Sequence, residues 1–166
     1  YTDWQKELIG GTAQYTNVNA GISGGTSAVQ YLLGATYNRR TTVFPGDFDD
    51  QVGGLHFNIG GSSVNQKFKI QLTGSYSYDQ NRLPRVDLTQ QAILLAPNAP
   101  ALYNADGKLN WAPNASGTSS WINPLAYVEN ADFNNTTKTL VSNMSVSYMI
   151  LQGLEIRGNF GYTTIN

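Results

Sequence analysis

The sequence predicts an all-β fold, an antiparallel up-and-down meander of about six long strands that forms part of a larger transmembrane β-barrel. Three observations carry this expectation: a sustained alternation of apolar and polar residues, an ordered succession of short and long connections, and the parity on which the charges fall. The clearest alternation runs from Lys67 to Asp79, KFKIQLTGSYSYD. Phe68, Ile70, Leu72, Gly74, Tyr76 and Tyr78 fall on one side, and Lys67, Lys69, Gln71, Thr73, Ser75, Ser77 and Asp79 on the other. Successive side chains of a strand point to opposite faces, so this stretch is one long two-faced strand. It exceeds the usual strand of about 5–6 residues. An apolar face toward lipid and a polar face toward a wet interior is the pattern of a barrel wall.

The other elements follow in order. Tyr1 to Gly11 reads as a lead-in loop or short helical turn, anchored by Trp4. Strand one, Gln14 to Ser23, sets Thr16, Val18, Ala20 and Ile22 against Tyr15, Asn17, Asn19 and Gly21, and Gly24-Gly25-Thr26 is a tight-turn signal. Strand two carries Val29, Tyr31, Leu33, Ala35 and Tyr37 on one face, with Leu32 as an apolar residue on the other. A polar loop over residues 39–49 contains Pro45-Gly46. Strand three spans about Asp50 to Gly60, and the Lys67–Asp79 stretch is strand four. A connection over residues 80–136 lacks sustained alternation; within it Asp87 to Ala96 predicts a short helix, with Asp87 as N-cap and Pro97 as stop. Strand five starts at Lys138, turns at Leu151-Gln152-Gly153, and strand six carries Leu154, Ile156, Gly158, Phe160 and Tyr162 on its apolar side. No internal repeat beyond the hairpins is evident, and no linker divides residues 1–166 into two domains.

The connections after strands one, three and five are short, and those after two and four are long. A meander then has its short turns at one end and its long loops at the other, as outer-membrane barrels do. About ten residues at roughly 3.3 Å each, tilted near 40°, rise about 25 Å, the height of the apolar band of such a barrel. Tyr37, Tyr76, Tyr78 and Tyr162 lie near the long-loop ends of their strands and Tyr148 near a short-turn end, where interfacial aromatic girdles belong. Lys67, Lys69, Glu155 and Arg157 share the polar parity; Lys138 alone has the apolar parity, at a loop-side end.

At 166 residues the chain is long enough for one domain with a core. Its net charge of -1 suggests no nucleic-acid partner, and the absence of cysteine excludes disulfides and thiolate chemistry. No apolar run reaches the roughly 18–20 residues of a membrane helix, which leaves a barrel open. Beginning at Tyr1 without initiator Met or signal peptide, the chain reads as a mature segment or a fragment.

No catalytic constellation is apparent, and the expectation is a protein that is not an enzyme and holds no cofactor or metal. His56, the single histidine, occupies a polar mid-strand position and reads as wall-lining. The acids of Asp47-Phe48-Asp49-Asp50 read as solvated rather than as a cation site. Asn104-Ala105-Asp106-Gly107 resembles the start of a calcium loop but lacks the later acidic ligand. Tyr103, Asn110, Trp111, Asn114 and Trp121, in the long connection, carry the stacking and amide groups that bind sugar or peptide. A long ordered loop also uses such residues to pack on itself, and that account is the favoured one.

The segments Thr2-Asp3-Trp4-Gln5, Ile22-Ser23-Gly24-Gly25-Thr26 and Gly34-Ala35-Thr36-Tyr37 resemble, in order, the TDWQ-like lead-in, the VSGG turn and the GYL-like strand end of SusC/RagA-type TonB-linked outer-membrane proteins. The resemblance continues through Lys67 to Tyr78 and Asn143 to Tyr162; Arg39-Arg40 departs from it, where the family's following loop starts with an acidic-glycine pattern. It implies a 22-stranded, plugged transporter of the bacterial outer membrane that imports glycan or peptide fragments. It also implies, as partners, the remainder of the barrel and its plug, membrane lipid, a SusD-like surface lipoprotein and the TonB system. The chain would be a portion of wall and external loops, without the plug. A soluble all-β carbohydrate-binding module is the alternative, with its apolar faces buried between two sheets. A complete small barrel, with two further strands within residues 80–135, is a second rival.

Overall fold

Six strands form one antiparallel up-and-down sheet in chain order: β1 Tyr15–Gly25, β2 Val29–Thr41, β3 Asp49–Ser62, β4 Phe68–Asn81, β5 Asn135–Leu151 and β6 Leu154–Ile165. The computed structural model describes residues 1–129 and 133–166. The sheet is open, with β1 and β6 as its edges. The six predicted strands are all present, and most run longer than the alternation indicates; β5 reaches 17 residues. Three short helices complete the described elements: α1 Trp4–Ile9, α2 Thr89–Leu94 and α3 Ala126–Glu129. The chain divides into two units. A sheet unit comprises Thr16–Arg39, Gln51–Gln80 and Thr136–Asn166, and a loop unit Tyr1–Tyr15, Arg40–Asp50 and Asn81–Asn135.

Within the sheet unit the short connections are closed by local hydrogen bonds. The Thr26 N–H donates to Val29 O (2.6 Å), and Thr26 Oγ1 accepts from the N–H groups of Ala28 and Val29. Between β3 and β4, Ser63 Oγ accepts from Phe68 N (3.0 Å) while Gln66 turns the chain at φ 59. Between β5 and β6 the turn rests on Gly153 at φ 88, a left-handed conformation that favours glycine. The β5–β6 register places like with like: Met144 faces Phe160 and Tyr148 faces Ile156 on one side of the sheet, while Ser145 faces Asn159 and Ser147 faces Arg157 on the other.

The apolar parity of this unit is not buried as it is in a water-soluble sheet. Ile22, Leu55, Ile156 and Phe160, all on the apolar parity, are 58–61% exposed. Among the described residues of the unit only Gly34 and Ser147 are buried, and both lie on the polar parity. At the sheet's other end from the short turns, the Lys138 ammonium lies 5.9 Å from the centre of the Tyr78 ring, and the Tyr37 hydroxyl donates to Gln51 Oε1 (3.1 Å).

The loop unit has a conventional core of Trp4, Leu8, Leu88, Ala92, Leu102, Leu125 and Val128. Trp4 and Leu8 fall one helical turn apart on α1, which packs against α2. Asp3 caps α1, accepting from Lys6 N (3.2 Å), and the Trp4 indole N–H donates to Ala96 O (2.8 Å), anchoring the lead-in as its sequence suggests. The predicted helix over residues 87–96 is shorter. It begins at Thr89 with Leu88 rather than Asp87 at the N-cap, although the Asp87 carboxylate accepts from Thr89 N (2.8 Å), and it ends where Leu95 turns extended. Among the described residues, 82–134 add no strand to the sheet, so the two further strands of a complete small barrel are not found there.

Two readings of the sequence need correction. Asp49 and Asp50 are buried rather than solvated. Asp49 Oδ1 lies 2.6 Å from Arg82 Nη2, and Asp50 Oδ2 lies 2.7 Å from Arg40 Nε. Burying a carboxylate is costly unless it is paired, and each arginine supplies the pairing. The long connection also contains a repeat. Asn104-Ala105-Asp106-Gly107-Lys108-Leu109-Asn110-Trp111 and Asn114-Ala115-Ser116-Gly117-Thr118-Ser119-Ser120-Trp121 share the pattern N-A-x-G-x-x-x-W at a spacing of ten residues.

Candidate functional site

Each copy of the repeat folds into the same small hairpin. In the first, Tyr103 bridges Leu109, Asn104 N donates to Lys108 O (2.8 Å), and Gly107 N donates to Asn104 O (3.0 Å). In the second, Pro113 bridges Ser119, and the equivalent bonds from Asn114 N and Gly117 N both measure 2.9 Å. Gly107 and Gly117 both adopt φ 77, which explains why glycine stands at that place in each copy. The segment Asn104 to Gly107, which resembles the start of a calcium loop, forms the turn of the first hairpin. Between the hairpins Ala112 takes φ 40, an uncommon conformation for a residue with a Cβ. Its N–H donates to Asn110 Oδ1 (2.8 Å) and its carbonyl accepts from Ser120 Oγ (2.6 Å), so neighbouring bonds hold it there.

The two tryptophans that end the copies have different surroundings. Trp121 is half-buried against the core, its ring centre 6.4 Å from that of Trp4, and its indole N–H donates to Asn110 O (3.0 Å). Trp111 stays 42% exposed. Asn110 is spent on structure: its amide donates to Ala101 O (2.9 Å) and its Oδ1 holds Ala112. Asn114 likewise accepts from Ser116 N and Thr118 N within its own turn. Tyr103 is exposed, and its hydroxyl donates to Glu129 Oε1 (2.6 Å). Partial burial, the hydrogen bond to Glu129 and the charge of that carboxylate, in that order, push the phenol up to about 12. Of the residues singled out in the sequence, Tyr103 and Trp111 thus present aromatic surface, while Asn110 and Trp121 organise the hairpins beneath.

Asn123 organises the same region and has no conspicuous sequence signal. Its side chain is fully buried; Nδ2 donates to Leu102 O (2.6 Å) and Asn110 O (3.0 Å), and Oδ1 accepts from Leu125 N (3.0 Å). It ties both arms of the first hairpin to the chain entering α3. The Asn-Pro pair at 123–124 is the trace it leaves in the sequence, since asparagine before a turn often bonds the backbone two residues on.

On the polar face of the sheet unit, His56 lies over Gly34, where any Cβ would collide with the imidazole. Nearby, the Gln71 amide donates to Asn58 Oδ1 (3.4 Å) and the Asn17 amide donates to Asn38 Oδ1. The face carries many amides and hydroxyls, and among the described residues no three acids or histidines gather as metal ligands. It can hydrogen-bond a hydrated or polar solute. Comparison with known protein families and with curated proteins gives no match.

Proposed function

We propose that the chain is a wall segment, with external loops, of a TonB-dependent importer of glycan or peptide fragments in a bacterial outer membrane. The observation that carries this reading is the exposure of the sheet unit's apolar face. Most of its apolar side chains share one face, where Ile22, Leu55, Ile156 and Phe160 stay exposed, and its two buried residues lie on the polar face. Water makes such a face unfavourable by roughly 25 cal/mol for each Å² of apolar surface, and hydrocarbon removes that cost. The placing of Tyr37, Tyr76, Tyr78 and Lys138 at one end of the apolar face supports a boundary with lipid headgroups there.

Further strands belong at the edges β1 and β6, because an unpaired backbone group in lipid costs several kcal/mol. The remaining barrel and plug, a SusD-like lipoprotein and the TonB system are the partners that the family resemblance suggests. The exposed rings of Trp111 and Tyr103 are the surface offered to a glycan or peptide. A soluble carbohydrate-binding module would need a second sheet over the apolar face, and the described residues form one sheet.

Fractionation of cells that produce the full-length protein tests the membrane part: it should sediment with outer membranes and require detergent for extraction. Recovery in the soluble fraction would favour the module. Deleting the gene should abolish growth on one oligosaccharide or peptide source, and unchanged uptake of every source would remove the importer role.

A further inference from the structure

The polar face of the sheet unit holds a cavity of about 450 Å³ at the end of the short turns, lined by Gln30 of β2, Lys69 and Gln71 of β4, Ser145 and Ser147 of β5, and Arg157 of β6. In a flat sheet β2 and β6 would lie about 19 Å apart, four strand spacings. Long side chains from β2 and β6 nevertheless line one cavity here.

The register explains why these side chains converge. Met149 N donates to Lys67 O (2.8 Å), which places Lys69 opposite Ser147, two residues along each strand. Ser147 in turn pairs with Arg157. Lys69, Ser147 and Arg157 therefore form one row across three neighbouring strands, and Gln71 with Ser145 begins the next row. Arg157 Nη2 lies 3.3 Å from Glu155 Oε2, and the buried Ser147 hydroxyl bonds the same carboxylate. Lys69 acts on Glu155 only at longer range, with no carboxylate within ion-pair distance among the described residues. Two cations thus share one acid, and one positive charge is left uncompensated beside neutral hydrogen-bonding groups.

We infer that this cavity binds the carboxylate of an anionic solute. Lys69 and the guanidinium of Arg157 take the carboxylate, Arg157 turning from Glu155 to offer its fork of N–H donors. Gln30, Gln71 and Ser145 hydrogen-bond neutral polar groups of the same molecule. The inference rests on the importer reading and deepens it, since residues that face a barrel's interior tune which solutes pass. A sugar acid and a peptide carboxylate share this chemistry, and the test separates the two sources.

Equilibrium binding to the full-length protein in detergent is measured with three probes: a glucuronate-containing disaccharide, an acidic dipeptide and a neutral disaccharide. One acidic probe should bind, and which one identifies the source of the carboxylate. Its affinity should fall about tenfold or more in the variant Lys69→Gln with Arg157→Gln, the loss expected for one charge-assisted bond. Lys69→Arg, which keeps the charge, should retain binding. Equal binding of the neutral disaccharide, unchanged affinity in the double variant, or no binding of either acidic probe would overturn the inference. Membrane fractionation of the unaltered protein scores the importer reading separately. A protein found in the outer membrane without charge preference loses only this inference.

Discussion

In the loop unit Leu8, Leu88 and Leu125 are sealed from solvent, whereas in the sheet unit Ile22, Leu55, Ile156 and Phe160 are more than half exposed. The two regions draw on the same apolar residue types, so composition does not separate them. What separates them is periodicity. In the loop unit apolar residues are gathered by short helices and turns that can surround a centre. In the sheet unit they recur every second residue, and a single sheet can only line them up on one face. A core made by one's own chain is a solution for water. A one-sided apolar face needs a second surface, and in the proposed setting a bilayer would supply it along the apolar band.

The comparison can be broken most forcefully in the loop unit. Leu125 is 1% exposed, so Leu125→Ala should cost about 2–5 kcal/mol, by lost transfer energy and the cavity left behind. Tryptophan fluorescence during chemical denaturation is the natural readout, since Trp4, Trp111 and Trp121 all belong to this unit. A midpoint that does not move would mean that the core contributes little to holding the hairpins. The same truncation on the apolar face of the sheet, at Leu55, leaves no protein cavity and should cost far less in detergent.

Next in size is a charge on the apolar face. Leu33 lies mid-strand in β2 on the apolar parity, and Leu33→Arg should cost roughly 2–4 kcal/mol in a bilayer, where an arginine at the midplane is desolvated. Folding yield into lipid vesicles measures it. The same substitution at Ile93, an exposed residue of α2, should lie within about 0.5 kcal/mol of neutral. If Leu33→Arg folds as well as Ile93→Arg, the apolar face does not meet lipid and the contrast between the units loses its meaning.

How much of this was legible in the sequence follows the same division. A period of two survives in the letters, so the strands, their order and the faces of Lys69, Arg157 and Tyr78 can be read directly, though their ends cannot. Pairing across distance leaves no such trace. Arg40 with Asp50, and Arg82 with Asp49, are joined by the fold and not by spacing, so the acids look like ordinary loop acids. The tandem N-A-x-G-x-x-x-W pattern was present in the letters but unremarkable until two hairpins with the same bonds gave it a shape. It also explains why the aromatic residues of the loop could not be sorted from sequence. Trp111 and Trp121 occupy equivalent places in the repeat, and only the core beneath one of them makes their surroundings unequal. Asn123 is harder still, since its role depends on carbonyls at Leu102 and Asn110 that lie more than ten residues away.

The smallest effect is the most local, and it concerns how the exposed part of the loop unit is held. Tyr103 donates to Glu129, and its phenol is pushed up to about 12 from 10.0. A phenol whose folded value is raised stabilises the fold while it is protonated. That contribution is complete below the unfolded value near 10 and is lost as pH rises through about 12, when the phenolate can no longer donate and repels the carboxylate. Near neutral pH the contact should therefore be insensitive to pH. Alkaline titration followed by phenolate absorbance should show one tyrosine lagging behind the exposed ones, and Glu129→Gln should bring it back toward the ordinary range. Because Tyr103 is largely exposed, solvent screens much of the interaction and the change in stability should be slight. A phenol that titrates with the others in the unaltered protein would mean that Glu129 does not hold it. The first hairpin would then be tethered by Asn110, Asn123 and Trp121, and the ring of Tyr103 would be free to follow a ligand.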